Sequence, residues 1–436
     1  MDDELLSPYP VIVFGMTALV CVRHEVDKWL WVRTETSILT SSQLRTRRDR
    51  FEFLFLNIGH FLDHFFMLIF ATAAALRLTT EWGLSYAELI PYATPGFIAF
   101  GVCAIPAGWL ADKWSREGMM VMFFLGIGLS SVFAGMAANP FQIAVSLTLV
   151  GVFAAIYHPV GLAMVVSGKS KTGMLLAVNG VWGNLGVASA ALLTGLLIDL
   201  SGWRSAFYLT GVLSVVVGLV YWRFINSNPA EPAPASVKQS SAAKVDGLWR
   251  IFAIILITTA IGGLVFQSTT FALPKVLTER VSELSISATR AGWYAFIVFS
   301  IAAGGQLVVG TLVDRYPVKT VFAVVAALQT LLFAIMIPLT GTMALLVSIA
   351  FMLVVFGQIP INDVLLGRIV QSEWRSRAYA LRYLVTFSVM ASAVPMIAWV
   401  HSRWGFERLF AILAFAALCI FLAVLMLPRS ATKSAI

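Results

Sequence analysis

The chain has 436 residues, of which 59% are hydrophobic and only 12% are charged. A soluble domain carries about 25% charged residues, so the composition excludes a large soluble protein. Runs of the roughly 20 apolar residues that cross a bilayer as a helix recur along the chain. Because these runs are continuously apolar rather than alternating, they favour helices over a transmembrane β-barrel. We expect an all-α membrane protein.

The net charge of +8 raises the question of a nucleic-acid partner. Cytoplasmic loops of membrane proteins collect Lys and Arg, and the positive residues here lie mostly in short gaps between apolar runs. We therefore predict a lipid bilayer as the surroundings and no nucleic acid. The cysteines Cys21, Cys103 and Cys419 are far apart and match neither a metal-binding spacing nor a disulfide framework.

The first 50 residues differ from the rest. "MDDELL" is acidic where a signal peptide is positively charged, and the apolar run 8–22 is short for a membrane span. The alternatives are an interfacial or extra segment and sequence upstream of the true start. We favour a poorly ordered extension and assign residues 1–50 no function.

Twelve candidate spans follow. They lie near 51–78, 86–111, 118–138, 141–166, 174–200, 204–224, 249–276, 288–313, 319–338, 341–369, 375–401 and 405–427. The gap "NSNPAEPAPASVKQSSAAKVDG" is typical of a flexible linker because it is rich in Pro, Ala and Ser. The predicted organisation is a six-helix bundle at 51–224, a cytoplasmic linker at 225–248, a second bundle at 249–427 and a tail at 428–436.

Positive charges predict the orientation. They precede the first span or follow even-numbered spans, as shown by Arg45, Arg47, Arg48, Arg50, Lys113, Arg116, Lys169, Lys171, Arg223, Lys238, Lys244, Arg315, Lys319, Arg375 and Arg377. Lys and Arg mark cytoplasmic loops. We expect a multi-pass protein of the inner cell membrane with both termini in the cytoplasm.

The two halves of the chain repeat. "GWLADKWSREGMM" at Gly108 recurs as "GTLVDRYPVKTVF" at Gly310, and "GWRSAFYL" at Gly202 recurs as "GFERLFAI" at Gly405. Similar spacing of both matches indicates a duplicated six-helix unit, which is the parallel-repeat plan of one transporter class.

The loop after the second span resembles the "GxLaDrxGrk" signature of the major facilitator superfamily. The residues that carry the resemblance in the two copies are Gly108, Asp112 and Arg116, then Gly310, Asp314 and Arg315. It implies twelve helices in two pseudo-symmetric bundles, a substrate site between them lined by the first, fourth, seventh and tenth helices, and alternating access. It also implies that these six residues form a conformational latch at the cytoplasmic side. The alternative is a topology anchor without a moving role.

"NIGHFLDHFF" places polar residues in the middle of the first span. Asn57, His60 and His64 share one helix face, and Asp63 is adjacent to it. Intramembrane ionisable residues mark transport pathways by default. Three interpretations compete: proton coupling, a structural hydrogen-bond cluster, and a metal site built on histidines at i and i+4. No cysteine or acid-rich partner supports the metal, so we predict no metal ion and no cofactor.

His158 directly precedes Pro159 in "AIYHPVG". It either satisfies a backbone carbonyl that the proline leaves free or faces the central cavity opposite the first span. "GHFLDHF", "YHPVG" and "NGVWGNLG" at Asn179 also resemble the bacterial fosmidomycin-resistance subgroup of the superfamily. That resemblance implies drug export.

The second half adds Gln267, Asn362, Asp363 and Arg382 within spans. Asp363 and Arg382 lie at similar depth from the cytoplasmic ends of their helices, so we predict an ion pair. The pair is either a static tie or a contact that breaks when an anionic substrate takes the arginine. Trp203 and Arg204, at the start of the sixth span, are expected to be interfacial anchors.

The leading prediction is a secondary transporter, not an enzyme, that exports a small organic molecule or drug by proton-coupled antiport. Asp63 would exchange the proton, and His60, His64 and His158 would tune it. Proton-coupled uptake of a small organic anion at Arg382 is the nearest alternative. A non-transporting membrane sensor is the third. We expect a monomer, a small-molecule substrate and protons as the coupling ion.

Overall fold

The computed structural model describes residues 47–167, 173–228, 248–281, 287–369 and 372–428, and for residues 248, 367–369 and 372–380 it describes the backbone only. Most of the predicted extension, linker and tail, the loop lysines Lys169, Lys171, Lys238 and Lys244, and the side chains of Arg375 and Arg377 therefore lie outside the described residues.

In the described ranges, eleven helices are long and apolar enough to cross a membrane. In chain order they are α1 (Arg47–Trp82), α2 (Tyr86–Lys113), α3 (Arg116–Met136), α4 (Pro140–Val166), α5 (Gly173–Ser201), α6 (Trp203–Ser227), α7 (Leu248–Arg280), α8 (Ala288–Arg315), α9 (Val318–Met336), α10 (Gly341–Ile369) and α11 (Ser372–Leu425). The predicted all-α membrane fold is confirmed.

The last helix accounts for two predicted spans. α11 contains a non-helical residue, Gly405, with φ 66° and ψ −165°. Its repeat partner Gly202 has φ 88° and separates α5 from α6. Glycine adopts positive φ without the penalty that a Cβ brings. The repeat found in the sequence thus corresponds to a glycine with positive φ at the same place in each half. Gly405 divides α11 into a first limb, 372–404, and a second limb, 406–425.

Polar residues start several helices. The side chain of Ser115 accepts a hydrogen bond from the Gly118 amide at the start of α3, and Asn139 accepts one from Gln142 at the start of α4. Such caps satisfy amides that have no partner within the helix. Short polar segments between apolar runs therefore set the helix boundaries.

Two helices are irregular within the membrane-length segment. Residues Ala74–Leu78 of α1 and Tyr157–Gly161 of α4 form π-helical turns. Pro159, which has no amide hydrogen, lies inside the second. A π-helical turn changes the direction in which side chains project, and this one presents Tyr157 and His158 towards α1.

The first six helices and the remaining helices meet through close backbone contacts. A Cβ added to Gly195 of α5 would lie 2.3 Å from the Ala288 carbonyl oxygen, and one at Gly292 of α8 would lie 2.5 Å from that of Ala191. On the other side of the bundle, Gly101 of α2 meets Phe387 of α11. Glycine allows this close approach between helices.

We call the side of the bundle where α1 begins the terminal side and the opposite side the distal side. On the distal side Tyr86 of α2 packs against His401 of α11, with ring centroids 5.4 Å apart. Asp199 of α5 accepts hydrogen bonds from the Thr289 amide and hydroxyl of α8, at 2.7 and 2.6 Å. The halves are therefore held together on the distal side.

The start of α6 departs from the expectation. Trp203 is buried rather than interfacial, and its indole nitrogen donates to Glu81 of α1 at 2.8 Å. Arg204 donates to the same carboxylate and to the Ala137 carbonyl. Glu81 of α1 lies next to the start of α6, so Trp203 and Arg204 connect α6 to α1. The prediction that Trp203 anchors at the membrane interface was wrong.

Candidate functional site

His60, Asp63 and His64 of α1 meet His158 of α4 near the middle of the first six helices. The Nε2 atom of His158 lies 3.4 Å from Oδ2 of Asp63. The His60 and His64 ring centroids are 5.0 Å apart, and each lies 5.5 Å from that of His158. The π-helical turn in α4 thus brings the third imidazole to the pair on α1. We call these four residues the histidine cluster.

A second polar network adjoins the cluster and includes His60. The Tyr157 hydroxyl donates to the Leu56 carbonyl at 2.7 Å. The Asn179 amide donates to Oδ1 of Asn57 at 2.9 Å and lies at the same distance from the Tyr157 hydroxyl oxygen. His60 Nδ1 lies 2.8 Å from the Asn179 backbone carbonyl, to which it donates. This network joins α1, α4 and α5, and Asn179 lies in the packed interior rather than along the gap between the halves.

Burial is graded across the cluster. The side chain of Asp63 is 0% exposed and that of His158 is 14% exposed. His60 is also buried, whereas His64 is half-buried. Both carboxylate oxygens of Asp63 and the Nδ1 of His158 have no hydrogen-bond partner. His158 therefore does not cap a backbone carbonyl near Pro159, which was one of the two readings of that residue.

His158 also reaches the second half. Its ring centroid lies 6.3 Å from that of Tyr383 and 5.7 Å from that of Phe387, both on α11. Phe100 of α2 packs against Phe387 at 4.7 Å and against His158 at 5.9 Å. We call Phe100, His158, Tyr383 and Phe387 the aromatic bridge. It crosses from α2 and α4 to α11, and it shares His158 with the histidine cluster.

The predicted ion pair of the second half is present. Arg382 of α11 donates to Oδ1 of Asp363 of α10, and its guanidinium lies 5.5 Å from the centre of the Tyr383 ring. The Arg382 side chain is 8% exposed, whereas that of Asp363 is 39% exposed. The pair adjoins the aromatic bridge through Tyr383, and Asp363 is its more exposed member.

The other two predicted cavity residues of the second half lie elsewhere. Gln267 of α7 is buried, and its amide nitrogen has no hydrogen-bond partner. Asn362 of α10 is buried and accepts a hydrogen bond from Thr258 of α7 at 3.2 Å. These contacts place Asn362 between α7 and α10.

The two copies of the loop motif differ. Arg116 donates to Asp112 at 2.9 Å across an exposed turn. A Cβ at Gly108 would lie 3.3 Å from Pro159, whereas one at Gly310 would meet no described atom within 4 Å. Close helix approach therefore explains the glycine of the first copy only.

The second copy, at Asp314 and Arg315, ends α8 on the terminal side. In the first copy, Glu117 replaces the basic residue of the signature, and it accepts a hydrogen bond from Arg48 of α1. This substitution thus ties α1 to α3.

Three ring nitrogens, one from each histidine of the cluster, lie within 4.8 Å of one another. The sequence placed only His60 and His64 on one helix face, and it left open whether His158 satisfies a backbone carbonyl or faces the cavity opposite the first span. Sequence analysis also missed Tyr157, Phe100, Tyr383 and Phe387. An aromatic residue within an apolar run gives no contrast that would single it out.

Comparisons with known proteins agree with this architecture. A family model described as "Major Facilitator Superfamily" matches residues 56–357 and 255–435. The chain is 26% identical over 290 residues to a gallate transporter of Pseudomonas putida, covering 58% of this chain and 63% of that protein. It is 29% identical over 148 residues to the 4-hydroxybenzoate transporter PcaK of the same species, covering 34% and 33%. The matches thus span less than two thirds of the length of these relatives.

Among solved structures, a bacterial homologue of the human lysosomal transporter Spinster, inward-facing and unoccupied, has a TM-score of 0.68 at 16% identity. The similarity covers 87% of this chain and 95% of that one. At this identity the likeness concerns the fold.

Proposed function

Because the chain belongs to the Major Facilitator Superfamily, and is therefore a secondary transporter rather than an enzyme, we propose that its substrate is a small aromatic carboxylate. The observation that carries the proposal is the ion pair of Arg382 with Asp363 beside the aromatic bridge. This is the uptake alternative of the sequence analysis with its substrate class narrowed.

Arg382 supplies the charge that a carboxylate needs. A guanidinium presents paired donors that match a carboxylate in geometry, and it stays protonated at physiological pH. The Arg382 side chain is buried, and a buried charge needs an opposite charge nearby, so a substrate carboxylate is the kind of group that can take the place of Asp363. The open side of Asp363 gives the substrate its approach.

The aromatic bridge supplies the second contact. Tyr383 and Phe387 stack nearly parallel, with an interplanar angle of 17°, and Phe100 approaches Phe387 edge-on from the other half. Offset and edge-to-face ring pairs are each favourable by about 0.5–1.5 kcal/mol beyond the area they bury. A ring that enters between Phe100 and α11 would contact both halves, as alternating access requires.

The named relatives support the same class. Gallate and 4-hydroxybenzoate, which appear in the names of two relatives, are both benzoic acids with ring hydroxyls. Each combines one carboxylate with one aromatic ring, which are the two groups that Arg382 and the aromatic bridge would recognise.

The test is counterflow in proteoliposomes loaded with 4-hydroxybenzoate or gallate, with the radiolabelled compound outside. Counterflow needs no coupling ion. We expect exchange by the wild-type protein and a large rise in the substrate constant for Arg382→Gln, with partial recovery in Arg382→Lys, because lysine keeps the charge but loses the paired donors. Arg77→Gln is the matched control, since Arg77 is an exposed arginine of α1. Exchange of the two compounds at the wild-type constant by Arg382→Gln would contradict the proposal.

Export of a drug and proton coupling stay predictions. The same liposomes with an imposed pH gradient test the coupling ion, and right-side-out against inside-out vesicles test the direction. A protein that moves no carboxylate, sugar or drug under any gradient would favour the non-transporting sensor.

A further inference from the structure

The histidine cluster contains two histidines, His60 and His64, that the transport proposal does not use, and it shares His158 with the aromatic bridge. His60 and His64 project from adjacent turns of α1, and His158 reaches them from α4. One ring nitrogen of each lies within 4.8 Å of the other two. Asp63 lies beside this set, with a carboxylate oxygen 3.4 Å from Nε2 of His158. Three imidazoles are the protein ligands of one class of zinc site, in which the fourth position is open.

A hydrogen bond from one ring nitrogen fixes the orientation of His60, which is also typical of histidines that bind metals. Its Nδ1 donates to the Asn179 carbonyl, so in the neutral ring the lone pair resides on Nε2. Its ring also stacks on Tyr157, with centroids 4.8 Å apart. Histidine ligands of metals characteristically donate their second ring nitrogen to a carbonyl or carboxylate, which sets the tautomer and the direction of the ligating atom.

Asp63 is the independent observation that points to a ligand. Its carboxylate is fully buried, and neither oxygen has a hydrogen-bond partner. A charge in such a place is normally paired or coordinated to a metal. The Nδ1 of His158 is also buried without a hydrogen-bond partner. Buried polar atoms without hydrogen-bond partners are therefore concentrated in the histidine cluster.

The geometry points to a resident divalent transition-metal ion of the zinc, cobalt or nickel class, bound by His60, His64 and His158 with Asp63 beside it. This site is additional to the carboxylate site and shares His158 with it. Tetrahedral coordination at about 2.0–2.1 Å places donors about 3.3 Å apart. The three ring nitrogens lie within 4.8 Å of one another, so side-chain rotation of the half-buried His64 and His158 would have to bring them to that spacing. Magnesium and calcium prefer all-oxygen sites and do not fit.

The ion would link α1 to α4 within the first half. Three neutral imidazoles and one carboxylate carry one negative charge, so a divalent ion leaves the site with one positive charge. His158 belongs to both the site and the aromatic bridge. The positive charge would therefore lie behind the surface that α11 faces. A proton on Asp63, as predicted from the sequence, and a metal ion are alternative occupants of the same cluster.

The experiment is a titration of the full-length protein with Co²⁺, purified in detergent through a tag without histidine and stripped with a chelator. We expect one equivalent of Co²⁺ with the visible absorption of tetrahedral cobalt, which Zn²⁺ removes. His64→Gln and His158→Gln should each weaken binding at least tenfold. His401→Gln, which changes a histidine paired with Glu279 on the distal side, should bind as the wild type does.

Each outcome decides the matter. Substoichiometric Co²⁺ in the wild type, or equal affinity in His158→Gln, would overturn the site and leave the cluster to protons. If His158→Gln is not monodisperse on size exclusion, His64→Gln keeps the comparison, because a half-buried ring is easier to replace. Counterflow of the carboxylate does not enter this readout, so failure of the metal site and failure of the transport proposal are separate results.

Discussion

His158 lies 3.4 Å from Asp63 on one side and 6.3 Å, ring to ring, from Tyr383 on the other. It is thus a direct connection between a fully buried carboxylate of α1 and the aromatic surface of α11. Any movement that separates the two halves at the aromatic bridge therefore changes the surroundings of His158. Whatever occupies the histidine cluster, proton or metal ion, is therefore placed to sense the position of the second half.

The polar network of Tyr157 and Asn179 predicts that removing the hydroxyl of Tyr157 lowers stability more than removing that of Tyr221. Tyr157→Phe removes a hydroxyl that bonds the Leu56 carbonyl and Asn179. Leaving a buried polar partner unsatisfied costs about 1–3 kcal/mol, so the melting temperature in detergent should fall. Tyr221→Phe removes an equally buried hydroxyl that has no hydrogen-bond partner and should leave it unchanged or raise it. Equal melting temperatures for the two variants would argue against the network.

Two glycines of α5 offer a test of the position of His60. A Cβ at Gly183 would lie 2.7 Å from Nε2 of His60, whereas one at Gly180 would lie 3.6 Å from Gln306. The His60 ring cannot yield without breaking its bond to the Asn179 carbonyl. We expect Gly183→Ala to lower the melting temperature and reduce transport, while Gly180→Ala matches the wild type. Wild-type behaviour of Gly183→Ala would mean that His60 is free to turn.

The fold was predictable because hydropathy, loop charge and the repeat all depend on local sequence. Gly202 and Gly405 matched as sequence and proved to share a positive φ. The pairing of Asp363 with Arg382 was also predictable, since depth in a helix follows from residue count. By contrast, Phe100 and Phe387 meet only because α2 packs on α11. The approach of His158 to α1 depends on a π-helical turn, which the periodic pattern of apolar residues in the sequence does not predict.

The glycines of α8 predict which changes open the distal side. A Cβ at Gly292 would lie 2.5 Å from a backbone oxygen of α5, whereas Gly304 faces open space. Overpacking costs about 1–3 kcal/mol, so Gly292→Ala should shift the population towards distal-open states by roughly tenfold. In a background without the native cysteines, Thr72→Cys lies buried on α1 and reports opening to an impermeant thiol reagent. We expect faster labelling with Gly292→Ala than with Gly304→Ala, and equal rates would contradict the closure.

Variants in the first loop motif test whether it is a conformational latch or a topology anchor. Asp112 and Arg116 form an ion pair whose side chains are 67% and 43% exposed. Exposed pairs contribute about 0–1 kcal/mol, so Asp112→Asn should leave the melting temperature unchanged. If Asp112 steadies one access state, the same variant should still slow counterflow and change the Thr72→Cys labelling rate. The matched control is Glu117→Gln, which breaks a tie between α1 and α3 within the first half. It should affect stability more than labelling, and an Asp112→Asn protein with wild-type counterflow and labelling would reduce the motif to a topology anchor.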